Sequence, residues 1–440
     1  MAQRYSHIVM GLGATGKSVV RYLMSQGITP LVMDSRRNPP GLDEIKAEFP
    51  QLDCHVGGFD CRALVQAEQI IISPGIPMDT PEVRVALDMD IEVIGDVELF
   101  ARAIADRSPC VLAITGSNGK STVTTLVGEM LREAGIDVAV GGNLGVPALE
   151  LLNQYATHYV LELSSFQLET TNSLDCIAAT CLNISEDHMD RYSDLEAYRR
   201  AKLHLFDQSR LAVFNRDDEQ TEPLSPMNVT SFGLGNPEGD DWGVTDGKIV
   251  RGSSEIMNID EISLLGSHNL ANVLAAMALA DAAGVEKAAM AKVAKEFKGL
   301  RHRCELVSSK NGVRWVNDSK ATNVGSTLAA LNGLSDYLGD IILIAGGDGK
   351  GADFSALEDA LDGVSTLITL GRDGDKIAAQ KEGAIKVANM EEAVAKANEI
   401  ANSGDIVLLS PACASLDMYP NFMARGDDFC ARVEALDEQQ

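Results

Sequence analysis

Short apolar runs ending in Gly, Ser or Asp alternate with helix-like segments along almost the whole chain. His7–Met10, Leu31–Met33, Gln69–Ile72, Cys110–Ile114 and Tyr159–Leu163 read as buried parallel strands, whose side chains are apolar on both faces. Ile177–Leu182, Ile341–Ala345, Leu367–Leu370 and Ile406–Leu409 repeat the pattern. Helical segments are expected after the loop at Thr115, through Leu131, and over Leu195–Phe206, His268–Phe297 and Thr322–Leu334. Strands alternating with helices predict βαβ units, hence an α/β protein of doubly wound, mostly parallel sheets. Between Asp217 and Gly266 the chain turns polar and Gly-rich, which predicts an irregular or antiparallel flank of the middle domain. Asn311-Gly312, between Glu305-Leu306-Val307 and Val313-Arg314-Trp315-Val316, is a two-residue hairpin signal.

A chain of 440 residues implies about three domains at roughly 150 residues each. The strand–loop–helix starts place them at residues 1–98, 99–299 and 300–440. The 64 acidic against 37 basic residues give a formal charge of −27, which repels polyphosphate backbones and argues against a nucleic-acid partner. An anionic substrate must then be held by a local group of amides and lysines. The eight cysteines are scattered without a C-x-x-C pair, so neither a disulfide framework nor a structural zinc site is expected, and a reducing compartment fits. No apolar signal core precedes Ile8-Val9-Met10, and no run approaches the roughly 18 apolar residues of a membrane span. A cytoplasmic enzyme with no membrane partner is the expectation.

Two glycine-rich loops compete for phosphate. Gly11-Leu12-Gly13-Ala14-Thr15-Gly16-Lys17-Ser18 satisfies both the dinucleotide fingerprint, with Asp34 closing the second strand, and the P-loop pattern. Read as a bare pattern, it decides nothing. The second loop, Thr115-Gly116-Ser117-Asn118-Gly119-Lys120-Ser121-Thr122, has Ile114 where the strict pattern wants Gly. Its amides from Gly116 to Lys120 can still cradle phosphate at a helix N-terminus, with Lys120 on the terminal phosphates and the Ser121 hydroxyl on Mg²⁺. Downstream chemistry favours this second loop. Glu162 closes a strand, and the next strand ends in Asn183-Ile184-Ser185-Glu186-Asp187-His188-Met189-Asp190, which places hard metal ligands at the same sheet edge. The first loop is followed only by Asp34 and Ser73-Pro74-Gly75-Ile76-Pro77.

Gly116–Thr122, Leu161-Glu162-Leu163-Ser164-Ser165-Phe166-Gln167 and Glu186–Asp190 together resemble the Mur ligase family. The likeness continues through Ser267-His268-Asn269, His302-Arg303, Asn317-Asp318-Ser319-Lys320-Ala321-Thr322-Asn323 and Ser410-Pro411-Ala412-Cys413-Ala414-Ser415, over essentially the whole chain. Within the family it is most similar to the members that add D-glutamate to UDP-N-acetylmuramoyl-L-alanine. The Asp-Asn-Pro-Arg motif of the diaminopimelate-adding relatives is absent.

The resemblance implies an ATP-dependent ligase of peptidoglycan synthesis that works through an acyl phosphate. It also implies a Rossmann-like first domain for the UDP-substrate, a P-loop-like ATPase middle domain and a Rossmann-like last domain for D-glutamate. Residue by residue, it implies that Lys120, His188 and Lys202 are catalytic and that Gly116, Ser117, Asn118, Gly119, Lys120, Ser121, Thr122, Asn269, Arg303 and Asp318 bind ATP. Two Mg²⁺ ions would be held by Ser121, Glu162, His188 and Lys202, the last carried as a carbamate. Gly13, Ala14, Thr15, Gly16, Asp34, Ser35, Arg36 and Asn143 would meet the UDP-substrate. Thr322, Lys350, Ser415 and Phe422 would meet D-glutamate. A monomer is expected, and Lys17 receives no role.

Plainer readings stand beside these. A lysine in the helix at Leu195 is by default a surface residue, Asn269 can belong to a helix start, Arg303 and Lys350 can be exposed charges, and Asp318 a turn residue. An oxidoreductase holding a dinucleotide at Gly11–Asp34 would leave Lys120, Glu162 and His188 idle. A non-catalytic ATP-binding module gives no reason for the motifs of the last domain.

Overall fold

The apolar runs assemble, in chain order, into three sheets. The computed structural model describes residues 5–189, 191–225, 228–264, 266–334 and 337–438. The first sheet has five strands, His7–Met10, Leu31–Asp34, Cys54–Val56, Gln69–Ile72 and Glu92–Ile94, lying in the order third, second, first, fourth, fifth. All its neighbours are parallel. Ile8, Met10, Leu31, Met33, Ile70 and Ile72 form the core on one face, while Val9, Val32 and Ile71 join the core on the other. Two covered faces explain why these strands show no apolar–polar alternation. The order reverses between His7–Met10 and Gln69–Ile72, and their carboxyl ends open into Gly11 and Ser73, the crevice where such sheets take ligands.

The second sheet runs Val138–Gly142, His158–Glu162, Cys110–Thr115, Ala178–Cys181, Ala212–Asn215, Val229–Phe232, Trp242–Thr245, Lys248–Arg251 and Ser254–Asn258 from edge to edge. The last two pairings are antiparallel, and they occupy the polar, Gly-rich stretch where an antiparallel flank was expected. Helix Lys120–Glu133 covers one face together with Ser267–Ala282 and Lys287–Glu296. These last two correct the single helix expected over His268–Phe297. Ala283-Gly284-Val285-Glu286 breaks it, with Gly284 at φ 80° reversing the chain.

The third sheet orders Glu305–Lys310, Val313–Asn317, Ile406–Leu409, Ile341–Gly346, Thr366–Leu370 and Ile385–Lys386, parallel except for the first hairpin pair. That hairpin turns on Asn311 (φ 54°) and Gly312 (φ 78°), both left-handed as a type I′ turn requires. Between the first and second sheets the chain forms helix Asp96–Ile104, and residue 98 lies inside it. Phe100 of this helix meets Tyr159 of the second sheet edge-on, ring centroids 5.1 Å apart. Glu296 and Glu305 bracket the passage to the third sheet, with residue 299 between them. No described helix is long and apolar enough to cross a membrane.

Candidate active site

Strand Cys110–Thr115 delivers the second loop to the sheet's carboxyl edge, and Gly119 (φ 84°) starts the helix that follows. A Cβ on Gly119 would overlap the Asn272 side-chain oxygen, so the loop depends on glycine there twice over. The expected cradle needs one correction. The Ser117 and Asn118 amides donate to the Asn183 carbonyl (2.9 Å) and side-chain oxygen (2.8 Å). Both are thus spent inside the protein and cannot join an anion cradle, whereas the first amides of the helix from Lys120 on have no partner within the helix.

The Lys120 ammonium donates to the Gly116 (2.8 Å) and Ser117 (2.9 Å) carbonyls. Lys202, expected by default at the surface, is instead fully buried and donates to the same Gly116 carbonyl at 2.9 Å. Burial first, and the neighbouring Lys120 charge second, pull its pKa down to about 7. Burial lowers Lys120 as well, with Glu162 opposing. Glu162 is buried; one carboxylate oxygen accepts from the Asn143 amide at 2.9 Å, and the other has no hydrogen-bond partner among the described residues. An orphaned buried carboxylate oxygen fits a cation-binding role, and its charge also bears on Lys120 and Lys202. Among the described residues no three His, Cys, Asp or Glu side chains gather to hold a metal by themselves.

His188 stands half exposed on the loop after Ala178–Cys181, with φ 58°, its ring edge-on to Phe166 at 4.8 Å and 3.7 Å from Asp187. Asp190 of the same motif lies outside the described residues.

The third domain reaches this loop directly. Arg303, partly buried rather than an exposed charge, donates to the Ser121 hydroxyl at 2.7 Å, and desolvation lowers its pKa. Asp318 accepts from Ser410 (2.9 Å) and the Cys304 amide (3.2 Å), and burial pushes it up to about 7. Asn118, Gly119, Thr122, Asn269, Arg303 and Asp318 line one cavity between the two domains. Lys320 lines it too, with its ammonium 4.1 Å over the Phe422 ring. Burial brings Lys320 down to about 8. No role was expected for it, although it stands inside the motif Asn317–Asn323. Thr322 follows it, and the Phe422 carbonyl accepts from Ser319 at 2.8 Å. Ser415 is buried, while Lys350 is exposed with φ 51°.

The first loop opens on a separate, larger cavity of about 560 Å³, lined by Gly13, Ala14, Thr15, Asp34, Ser35, Arg36 and, from the second domain, Asn143. Gly16 is not among its walls. It packs beneath the loop, where a Cβ would overlap the Gly11 carbonyl. Asp34 is held by Arg36 and by the Leu12 amide at 2.8 Å, so its carboxylate braces the loop from below. Lys17 turns away and pairs with Glu44.

Residues 5–95, 114–280 and 302–413 match the families described as "Mur ligase MurD-like, N-terminal domain", "Mur ligase middle domain" and "Mur ligase, glutamate ligase domain". The chain belongs to the Mur ligase family. Like its members it is an ATP-dependent, amide-forming ligase of peptidoglycan synthesis, and ATP and Mg²⁺ are its general requirements. It is 72% identical to a protein of Shewanella oneidensis named UDP-N-acetylmuramoylalanine--D-glutamate ligase, over 99% of this chain and 100% of that one. The protein of the same name from Escherichia coli K12 is 47% identical, covering 98% of each. Among solved structures, the pseudomurein peptide ligase type C of Methanothermus fervidus matches with a TM-score of 0.62 at 17% identity, over 98% of this chain and 100% of that one. The MurF ligase of Thermotoga maritima in complex with ADP matches with 0.60 at 15%, over 100% and 97%. At those identities the two structures speak for the Mur ligase fold alone.

Proposed function

We propose that this ligase joins the amine of D-glutamate to the alanine carboxylate of UDP-N-acetylmuramoyl-L-alanine, using ATP. The observation that carries the reading is a shared wall. Asn143 lines the first-domain cavity and donates to Glu162, whose charge bears on Lys120. A carboxylate presented from that cavity thus arrives beside the phosphate loop. The name borne by the Shewanella oneidensis relative supports the choice of both substrates.

In this reading residues 1–98 take the UDP end through the amides of Gly13, Ala14 and Thr15, residues 99–299 take ATP, and residues 300–440 take D-glutamate. A substrate carboxylate oxygen attacks the terminal phosphorus of ATP, and the bond to ADP breaks. The D-glutamate amine, in its neutral form, attacks the acyl-phosphate carbon; the C–O bond to phosphate breaks, phosphate leaves with the electron pair, and the nitrogen gives up one proton to the solvent or the departing phosphate as the amide forms. Lys120 and Arg303 stabilise charge on the transferring phosphoryl group. Lys320, Lys350 and the hydroxyls of Thr322 and Ser415, with Phe422 alongside, hold the dicarboxylate. Two magnesium ions, held by Ser121, Glu162, His188 and a carbamate on Lys202, supply further charge neutralisation when bound. The Lys202 amine forms that carbamate by adding to carbon dioxide and releasing a proton. The eight cysteines stand unpaired, the state a reducing compartment favours, and the reading is of a cytoplasmic monomer.

Phosphate release from ATP tests it. Release should require both UDP-N-acetylmuramoyl-L-alanine and D-glutamate, and NAD should not be reduced in the same mixture. Release that ignores D-glutamate, or none with both substrates present, would overturn the reading.

A further inference from the structure

Among the described residues, Arg303 is one of two third-domain side chains bonded to the phosphate loop. The other has no place in the scheme above. The Ser326 hydroxyl donates to the Asn118 side-chain oxygen at 2.7 Å, and 208 residues of chain separate them. Ser326 stands in the first turn of helix Val324–Asn332, and its own amide is capped by Asn323 at 2.8 Å. Its hydroxyl is therefore free to reach outward. On the other side Asn118 is fixed by a reciprocal pair with Asn183, donating its amide at 2.8 Å and accepting at its carbonyl at 3.1 Å. The helix also comes in close. A Cβ on Gly325 would stand 3.3 Å from the Ser185 hydroxyl, and Ser185 is itself bonded through its amide to Ser117 at 3.0 Å. Gly325-Ser326 thus sits in a socket whose walls, Asn118 and Ser185, are both tied to the phosphate loop.

The same short segment carries Asp318, Lys320 and Thr322, so whatever fixes Ser326 fixes their distance from Lys120. We propose that Ser326 is a positioning residue for the ligation step: its bond to Asn118 holds the D-glutamate-bearing domain in register with the phosphate loop. This rests on the function proposed above. The effect belongs to the second half-reaction, in which a nucleophile seated on one domain must meet a carbonyl seated on the others. Misplacement there is costly to rate because proximity is what the enzyme contributes.

The test is a double-mutant cycle in the full chain, reading phosphate release with D-glutamate varied. Ser326→Val and Ser326→Thr are nearly isosteric and differ in the hydroxyl. The valine variant should lose about three- to ten-fold in kcat/KM for D-glutamate, the worth of one net hydrogen bond, and the threonine variant should recover most of it. KM for the UDP-substrate should not move, because the first domain binds it. Asn118→Ala combined with Ser326→Val should be no worse than the poorer single variant. Multiplying losses in the double variant, or valine and threonine variants alike, would overturn the proposal. Failure of the parent enzyme to require both substrates would instead overturn the function beneath it.

Discussion

Lys17 and Lys120 hold the same place in two glycine-rich loops and differ in what surrounds them. Lys17 has the better pattern match, yet its ammonium pairs with Glu44 on the neighbouring helix, away from the cavity. Lys120 lies over its own loop with Glu162 and Arg303 close enough to shift it. Lys120→Ala should therefore lower turnover on the order of 10²–10³-fold, the usual cost of removing one group that stabilises developing charge. Lys17→Ala should leave turnover at saturating substrate near the parent's value, with any effect confined to KM for the UDP-substrate. Steady-state constants for both variants decide it; a collapse in Lys17→Ala alone would exchange the two loops. Lys202 yields a second expectation. With its pKa near 7 the amine is mostly neutral above that pH and protonated below it, and only the neutral form adds carbon dioxide. Activity of bicarbonate-depleted enzyme should rise on adding bicarbonate at pH 8 and far less at pH 6. Lys202→Ala should be nearly inactive and partly restored by a short carboxylic acid, and a fully active Lys202→Ala would remove the carbamate. At this scale the sequence marks chemistry by motif: Lys120, Glu162 and Arg303 were all legible. It does not mark which groups a fold will use up, and so the occupation of the Ser117 and Asn118 amides by Asn183 was not.

Elements are legible in the sequence where one physical signal dominates. The buried parallel strands announce themselves by unbroken apolar runs, because each is covered on both faces. The turn Asn311-Gly312 announces itself because few residues accept two consecutive left-handed conformations. Helix ends carry a weaker mark. Gly284 inside an apolar stretch was not enough to divide Ser267–Ala282 from Lys287–Glu296 in advance, since an isolated glycine costs a helix only about 1 kcal/mol. The hairpin offers a test in which stability and chemistry separate. Gly312→Ala would put a methyl group at φ 78° and against the Ser403 side chain. The strain should cost roughly 1–3 kcal/mol, seen as a lower midpoint in urea. KM for ATP at low temperature should stay unchanged, because the turn lies outside the nucleotide cavity. An unshifted midpoint would mean that the turn relaxes without strain.

At the scale of the whole molecule, the site exists only where domains meet. Asn143 of the second domain completes the cavity of the first, and Arg303 and Ser326 of the third close on the loop of the second. No run of sequence specifies such contacts, since each joins residues far apart in the chain, and the motifs could say only which residues ought to assemble. Ligands that span two domains should favour the assembled state by the difference in their affinity for it over the open one. Catalysis should accordingly require a hinge in the passage between Glu296 and Glu305, where no helix or strand stiffens the chain. Small-angle scattering of the free enzyme should give a larger radius of gyration than scattering with a non-hydrolysable ATP analogue and the UDP-substrate together. The liganded curve should agree with the one calculated from the arrangement described above, in which the third domain already touches the phosphate loop. ATP analogue alone should move the curve part of the way, because its cavity is walled by the second and third domains. An identical radius and distance distribution with and without both ligands would mean that the domains do not close, and D-glutamate would then have to reach a site assembled in advance.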